Sequence, residues 1–156
     1  PISIMPELSR VEAMQAAISG KLGVLDDRAS GWSTAQNKYG VLVFESDSDT
    51  RKIISATQLF KSREIWGFDA SMLSSERARR GIPTGWHEVM IAKGLHKYLT
   101  FAVEVLNMAL PLTVEIGLTN VSGYVLNMDD RRYPWDPHWG PIHDEHIIYR
   151  EKNRYT

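Results

Sequence analysis

The chain is predicted to fold as α+β: a mostly antiparallel sheet, one long helix packed across one face, and an N-terminal helix nearby. Three observations carry this expectation. Residues 86–110 have helical apolar spacing and are stopped at once by Pro111. Leu112, Val114, Ile116 and Leu118 alternate with Thr113, Glu115, Gly117 and Thr119, the period of a strand with one packed and one wet face. Between residues 39 and 73, short runs of β-formers are separated by turn-forming residues.

The elements follow in order. Residues 4–25 read as a helix, because Leu8, Val11, Met14, Ile18, Leu22 and Leu25 recur every three or four positions. Ser9 followed by Glu12 fits a capping box, while Pro6 suits an earlier first turn. Gly20 and Gly23 weaken the last turns. Residues 26–38 are polar and read as a loop. Tyr39-Gly-Val-Leu-Val-Phe44, Lys52-Ile-Ile-Ser55 and Ile65-Trp-Gly-Phe68 read as three antiparallel strands, with Lys61-Ser-Arg63 as a turn. A short helix over residues 50–60 is the alternative.

Residues 74–85 are charged and read as a linker. Thr84 then caps the long helix, whose apolar stripe is Trp86, Val89, Met90, Leu95, Leu99, Ala102, Val105, Leu106 and Ala109. Leu99, midway along it, is expected to be fully buried, with Lys93 and Lys97 facing water. After the strand at residues 112–119 come a turn at 120–123, a further strand starting at Tyr124, and a last strand, His146-Ile-Ile-Tyr149.

Composition narrows the function classes. The 156 residues suit one domain, and a domain of this length buries roughly 70% of its unfolded surface. The chain is expected to be a single domain over residues 1–156, taken from a larger protein because it starts at Pro1. A net charge of −1 gives no global pull toward nucleic acid or anionic membrane. The absence of cysteine excludes disulfides, thiolate-bound metal and a thiol nucleophile, and suits a reducing cytoplasm. No apolar run approaches ~18 residues, so no membrane partner is expected. The sequence holds no Gly-rich phosphate loop, His-Glu-x-x-His or Gly-x-Ser-x-Gly motif.

One cluster could carry chemistry. Asp136, His138, His143, Asp144 and His146 gather carboxylates and imidazoles that suit a divalent transition metal such as Zn, Mn, Fe or Ni. A metal there would acidify a bound water, giving a metal-dependent hydrolase or nuclease. A helical segment would put His143 and His146 on one face; an extended one would pair Asp144 with His146. The plainer reading takes precedence: a surface loop held by prolines, with Trp135 and Trp139 on the core. Arg77, Arg79, Arg80, Arg131 and Arg132 would track a phosphate or nucleic-acid backbone if they converge, but first read as a solvated face. His87 and His96 read as structural or surface residues, and Trp32, Trp66 and Trp86 as core.

Glu64-Ile-Trp-Gly-Phe-Asp69 closes a meander, a long helix follows, and Leu110-Pro-Leu-Thr-Val-Glu-Ile-Gly-Leu-Thr-Asn-Val-Ser-Gly-Tyr124 ends in an Asn-Val-x-Gly turn. Over residues 39–126 this order resembles the segment that follows the DNA-binding module in bacterial proteins of the Schlafen-type AlbA_2 class. The AlbA_2 module itself is not recognisable here, so no DNA-binding or catalytic residue is carried over. The resemblance implies a non-enzymatic interaction or ligand-sensing part of a bacterial cytoplasmic regulatory or defence-type protein. A homo-oligomer, or packing on another domain of the same protein, completes that expectation.

Overall fold

The computed structural model describes residues 5–25, 31–71, 81–127 and 141–150. The chain divides into two compact units: residues 1–71 with 90–108, and residues 72–89 with 109–156. The architecture is α+β, with an antiparallel four-stranded sheet, an N-terminal helix and one longer helix.

The first unit opens with α1 (Arg10–Ser19). Its capping box is formed as the sequence predicts. The Ser9 hydroxyl accepts from the Glu12 N–H at 3.2 Å, and the Glu12 carboxylate accepts from the Ser9 N–H at 2.8 Å. These bonds, the backbone one foremost, hold the Glu12 carboxyl below its ordinary range. The helix is far shorter than residues 4–25. The Gly20 N–H closes the last turn on the Ala16 carbonyl at 2.8 Å, and Lys21 then turns left-handed at φ 51°. Leu22 and Val24 therefore enter the core from a non-helical segment. The buried helix residues are Ala13 and Ala17, while Val11 and Ile18 point outward. The apparent long periodicity joined three separate pieces: Leu8 before the helix, the helix itself, and Leu22 beyond it.

The sheet contains β1 (Ser33–Asn37), β2 (Gly40–Ser46), β3 (Ile53–Phe60) and β4 (Ile65–Asp69), paired in that order. The strand β1 lies where a loop was expected, so the meander has four strands. Its residues are polar and mostly exposed, and pairing with β2 at the sheet edge is what makes it a strand. The β1–β2 turn is built by Asn37, whose side-chain oxygen accepts from the N–H groups of Tyr39 and Gly40 at 2.9 and 3.0 Å. Gly40 sits at φ 151°, and a Cβ there would run into the Leu59 carbonyl. Residues 53–60 are strand and not helix.

Register assigns the two faces. Val41 pairs with Leu59 and Leu59 with Ile65; Val43 pairs with Thr57 and Thr57 with Gly67. This face packs on Ala13, Ala17, Leu22, Val24, Phe101 and Leu106. The long helix α2 (Thr84–Thr100) supplies Tyr98 to it and passes into a π-helical turn, Phe101–Val105. The Leu106 N–H reaches back five residues to the Phe101 carbonyl at 3.1 Å. The helix was expected to run to residue 110 but ends near Leu106, where Asn107 takes φ 52°. Leu99 is half-buried, not fully buried; the buried positions are Met90, Gly94, Phe101, Ala102 and Leu106. Lys93 and Lys97 are exposed, as expected.

The second unit contains β5 (Gly81–Pro83), β6 (Glu115–Thr119), β7 (Val125–Asn127) and β8 (His146–Arg150). β5 pairs in parallel with β7, and β6 antiparallel with β8. The predicted alternation holds in β6, with Ile116 and Leu118 half-buried between exposed Glu115, Gly117 and Thr119. Ile82 and Val121 are buried here. Among the described residues, no helix is long and apolar enough to cross a membrane.

Candidate functional site

Every residue of β2 from Val41 to Phe44 is apolar, and alternation sends Val41 and Val43 to one face, Leu42 and Phe44 to the other. The first pair is covered by the helices of the same unit. The second pair belongs to the opposite face, whose cross-strand rows are Ala35–Leu42–Gln58–Trp66 and Ser33–Phe44–Ala56–Phe68, with Asn37–Gly40–Phe60 at the end. No residue in these rows is charged.

This face carries exposed aromatic area. Trp66 is 67% exposed and Phe68 50%, and Tyr39, in the adjoining turn, is 54% exposed. Tyr39, Phe60 and Trp66 form a row, with ring centroids 6.4 and 5.5 Å apart and the second contact edge-to-face. The Lys38 ammonium sits 4.7 Å from the centre of the Tyr39 ring. The amides on the face serve each other: the Asn37 side-chain nitrogen donates to the Gln58 side-chain oxygen at 2.7 Å, and the Gln58 nitrogen to the Leu59 carbonyl at 3.0 Å. The result is a rigid surface on paired strands with little polar capacity to spare.

Trp66 thus corrects its expected core position, and Trp32, at 42% exposure, also keeps a large wet surface. Of the third, Trp86, the side chain lies outside the described residues. The signal was present as two interleaved apolar sets in β2 and as Trp66 and Phe68 at i, i+2 in β4. A core reading assumed that all apolar groups are covered.

Most of the residues singled out for metal and phosphate chemistry are not among the described residues. Asp136, His138, Arg77, Arg79, Arg80, Arg131 and Arg132 lie outside the described residues. His143, Asp144 and His146 are described and exposed. Their segment is not helical: the Ile142 N–H donates to the Tyr124 carbonyl and the Gly123 N–H to the Ile142 carbonyl, both at 2.8 Å, and the chain bends at Glu145 before β8 begins at His146. The helical face that would join His143 and His146 is therefore not formed. The His146 Nε2 lies 4.0 Å from a Glu145 carboxylate oxygen. Among the described residues, no three His, Asp or Glu side chains converge as a metal-binding group.

Comparisons with protein-family models, with curated protein sequences and with solved structures find no match to this chain.

Proposed function

We propose that this chain is a non-enzymatic interaction domain and that it binds its partner through the aromatic face of the four-stranded sheet. The observation that carries this reading is the exposure of Trp66 and Phe68 in charge-free rows of paired strands. Covering an aromatic or large aliphatic side chain is worth about 1.5–3 kcal/mol each, so this face has binding energy that the described fold leaves unused. Aromatic anchors on a preordered surface are what interface centres are made of, because little side-chain entropy is lost on binding. The resemblance to the segment following the AlbA_2 module supports the same reading, as part of a bacterial cytoplasmic regulatory or defence-type protein.

A photo-crosslinking amino acid placed at Trp66 in the full protein, activated in its native cell, tests this. A discrete protein adduct is expected there, and none from the same group placed at Lys93, an exposed position of α2. Irradiation that gives no adduct at position 66 would remove the reading.

A further inference from the structure

The four-stranded sheet has an open edge as well as an aromatic face. We propose that β4 pairs antiparallel with β4 of a second copy of this chain, about a two-fold axis at Gly67, so that two four-stranded sheets join side by side into one. This goes beyond the reading of the aromatic face and does not rest on it.

Backbone bonding fixes what β4 offers. The Ala70 N–H donates to the Ile54 carbonyl at 2.7 Å, and the Phe60 N–H to the Glu64 carbonyl at 2.9 Å. Bonded and non-bonded pairs alternate along an antiparallel ladder, and the β3–β4 register runs unbroken between these two bonds. Trp66 and Phe68 therefore bond toward β3, while Ile65, Gly67 and Asp69 turn their N–H and C=O groups outward. Among the described residues, no strand pairs with β4 on that side. Gly67 is exposed, although Tyr98 fills the place where its Cβ would stand. A residue without a side chain has only backbone to expose.

A row of unpaired amides specifies its occupant as an apolar surface does not: it takes an extended backbone of the same spacing. The opposite edge is blunted. The Lys61 N–H bonds to the Tyr39 carbonyl, so odd residues of β2 face β3 and even ones face β1. That leaves Thr34 and Gln36 as the outward residues of β1, both polar, and the Gln36 side-chain nitrogen reaches the Arg10 carbonyl at 3.4 Å. From Ile65 to Phe68, β4 has no charge, no proline and no bulge.

Register selects a second copy. Alignment about Gly67 uses all three outward residues of each strand: Gly67 meets Gly67 of the second copy, Ile65 meets its Asp69, and Asp69 meets its Ile65. A shift by two residues leaves one outward residue of each strand facing none of the other's three. The same alignment keeps Asp69, the one charge of the strand, from meeting its own copy. It also sets Trp66 opposite Phe68 on both sides of the axis, as aromatic cross-strand pairs. The chain's own sequence thus supplies a complete partner for this edge.

Because the chain has no cysteine, disulfide trapping tests the register directly. Positions 66 and 68 of opposite copies form a non-bonded pair, with Cα atoms about 4.5 Å apart, within the roughly 4.4–6.8 Å that a disulfide spans. Position 66 lies about 7–8 Å from its own copy, and so does position 68. Full chains carrying Trp66→Cys and Phe68→Cys, mixed and mildly oxidised, should give at least tenfold more covalent dimer than either variant alone. Equal yields in all three samples, or none in the mixture, would overturn the pairing. Sedimentation equilibrium of the wild type should show a dimer. Trp66→Lys with Phe68→Glu should dimerise at least tenfold more tightly than Trp66→Lys with Phe68→Lys, both with native circular dichroism. The two variants lose the same rings, but the first sets unlike charges across the joint and the second like charges. Equal affinities, or a wild type that stays monomeric throughout, would also overturn the proposal. A monomer that still gives a position-66 adduct to a different protein removes this pairing and leaves the aromatic face as an interaction surface.

Discussion

Replacing Thr57 by valine is the most searching test of how the first unit is held together. Thr57 is completely buried on the helix-covered face of β3. Its hydroxyl donates to the Gly23 carbonyl at 2.8 Å and lies 2.5 Å from the Tyr98 hydroxyl. A hydroxyl has one proton, and Thr57 spends it on Gly23, so Tyr98 must be the donor in the second bond. Three segments meet in this chain of bonds: the stretch after α1, the centre of the sheet, and α2. Valine keeps the volume and removes both bonds, leaving the Gly23 carbonyl and the Tyr98 hydroxyl without their partner. Each stranded buried group costs about 1–3 kcal/mol, so Thr57→Val, which strands two, should lower stability by about 2–6 kcal/mol. Urea unfolding measures this, with an unchanged slope showing that the compactness of the end states is preserved. The directional argument makes a sharper demand. Tyr98→Phe should destabilise the wild type by about 1 kcal/mol, yet be neutral or stabilising in the Thr57→Val background, where it removes a stranded hydroxyl. Equal losses in both backgrounds would refute the bond chain.

Tyr98 also makes stability fall in alkali. Burial foremost, with the nearby Asp69 charge adding to it, pushes its pKa up to about 12 from the ordinary 10.0. The unfolded chain then releases this proton first, so stability is constant below pH 10 and declines toward pH 12. At 1.36 kcal/mol per unit the decline approaches roughly 2–3 kcal/mol, and thermal melts of Tyr98→Phe, compared with wild type, should show it missing. Ser9→Ala breaks the capping box and should cost about 1 kcal/mol by the same unfolding assay. Leu59→Ala, at a fully buried position, should cost about 2–5 kcal/mol, whereas Leu99→Ala at a half-buried one should cost about 1–2 kcal/mol. Trp66→Ser should leave the melting temperature within the change expected of about 1 kcal/mol or less, since its ring supports the fold little.

Local chemistry in this chain is legible from local sequence. The Ser9–Glu12 capping box, the turn at residues 61–63, the alternation of residues 115–119 and the last strand from His146 all depend on neighbours within a few positions. β1 is different: Ser-Thr-Ala-Gln-Asn has neither apolar period nor β-rich composition, and only hydrogen bonding to β2 makes it a strand. The face of α2 was misread at Leu99 for a related reason. Gly94 is buried where a Cβ would strike the Leu25 side chain, so close approach, not hydrophobicity, marks the inward side there. The aromatic face was written in the sequence as a strand apolar on both sides. What sequence alone left open was which side the unit's own helices would cover.

The π-turn after α2 sets a phase. An α-helix advances each residue by about 100°, and a turn closed over five residues instead of four delays that rotation by nearly one position. Met90, Gly94 and Tyr98 form one line down α2, and the widened turn carries that line on to Leu106, which is 2% exposed. The extra residue therefore acts as a vernier between the helix and its terminus. Were these residues to take a regular α-helical path with none removed, Leu106 would swing by about a quarter-turn out of that line. Regularity of the backbone and continuity of the buried line are competing demands at this point, and the chain is built to satisfy the second.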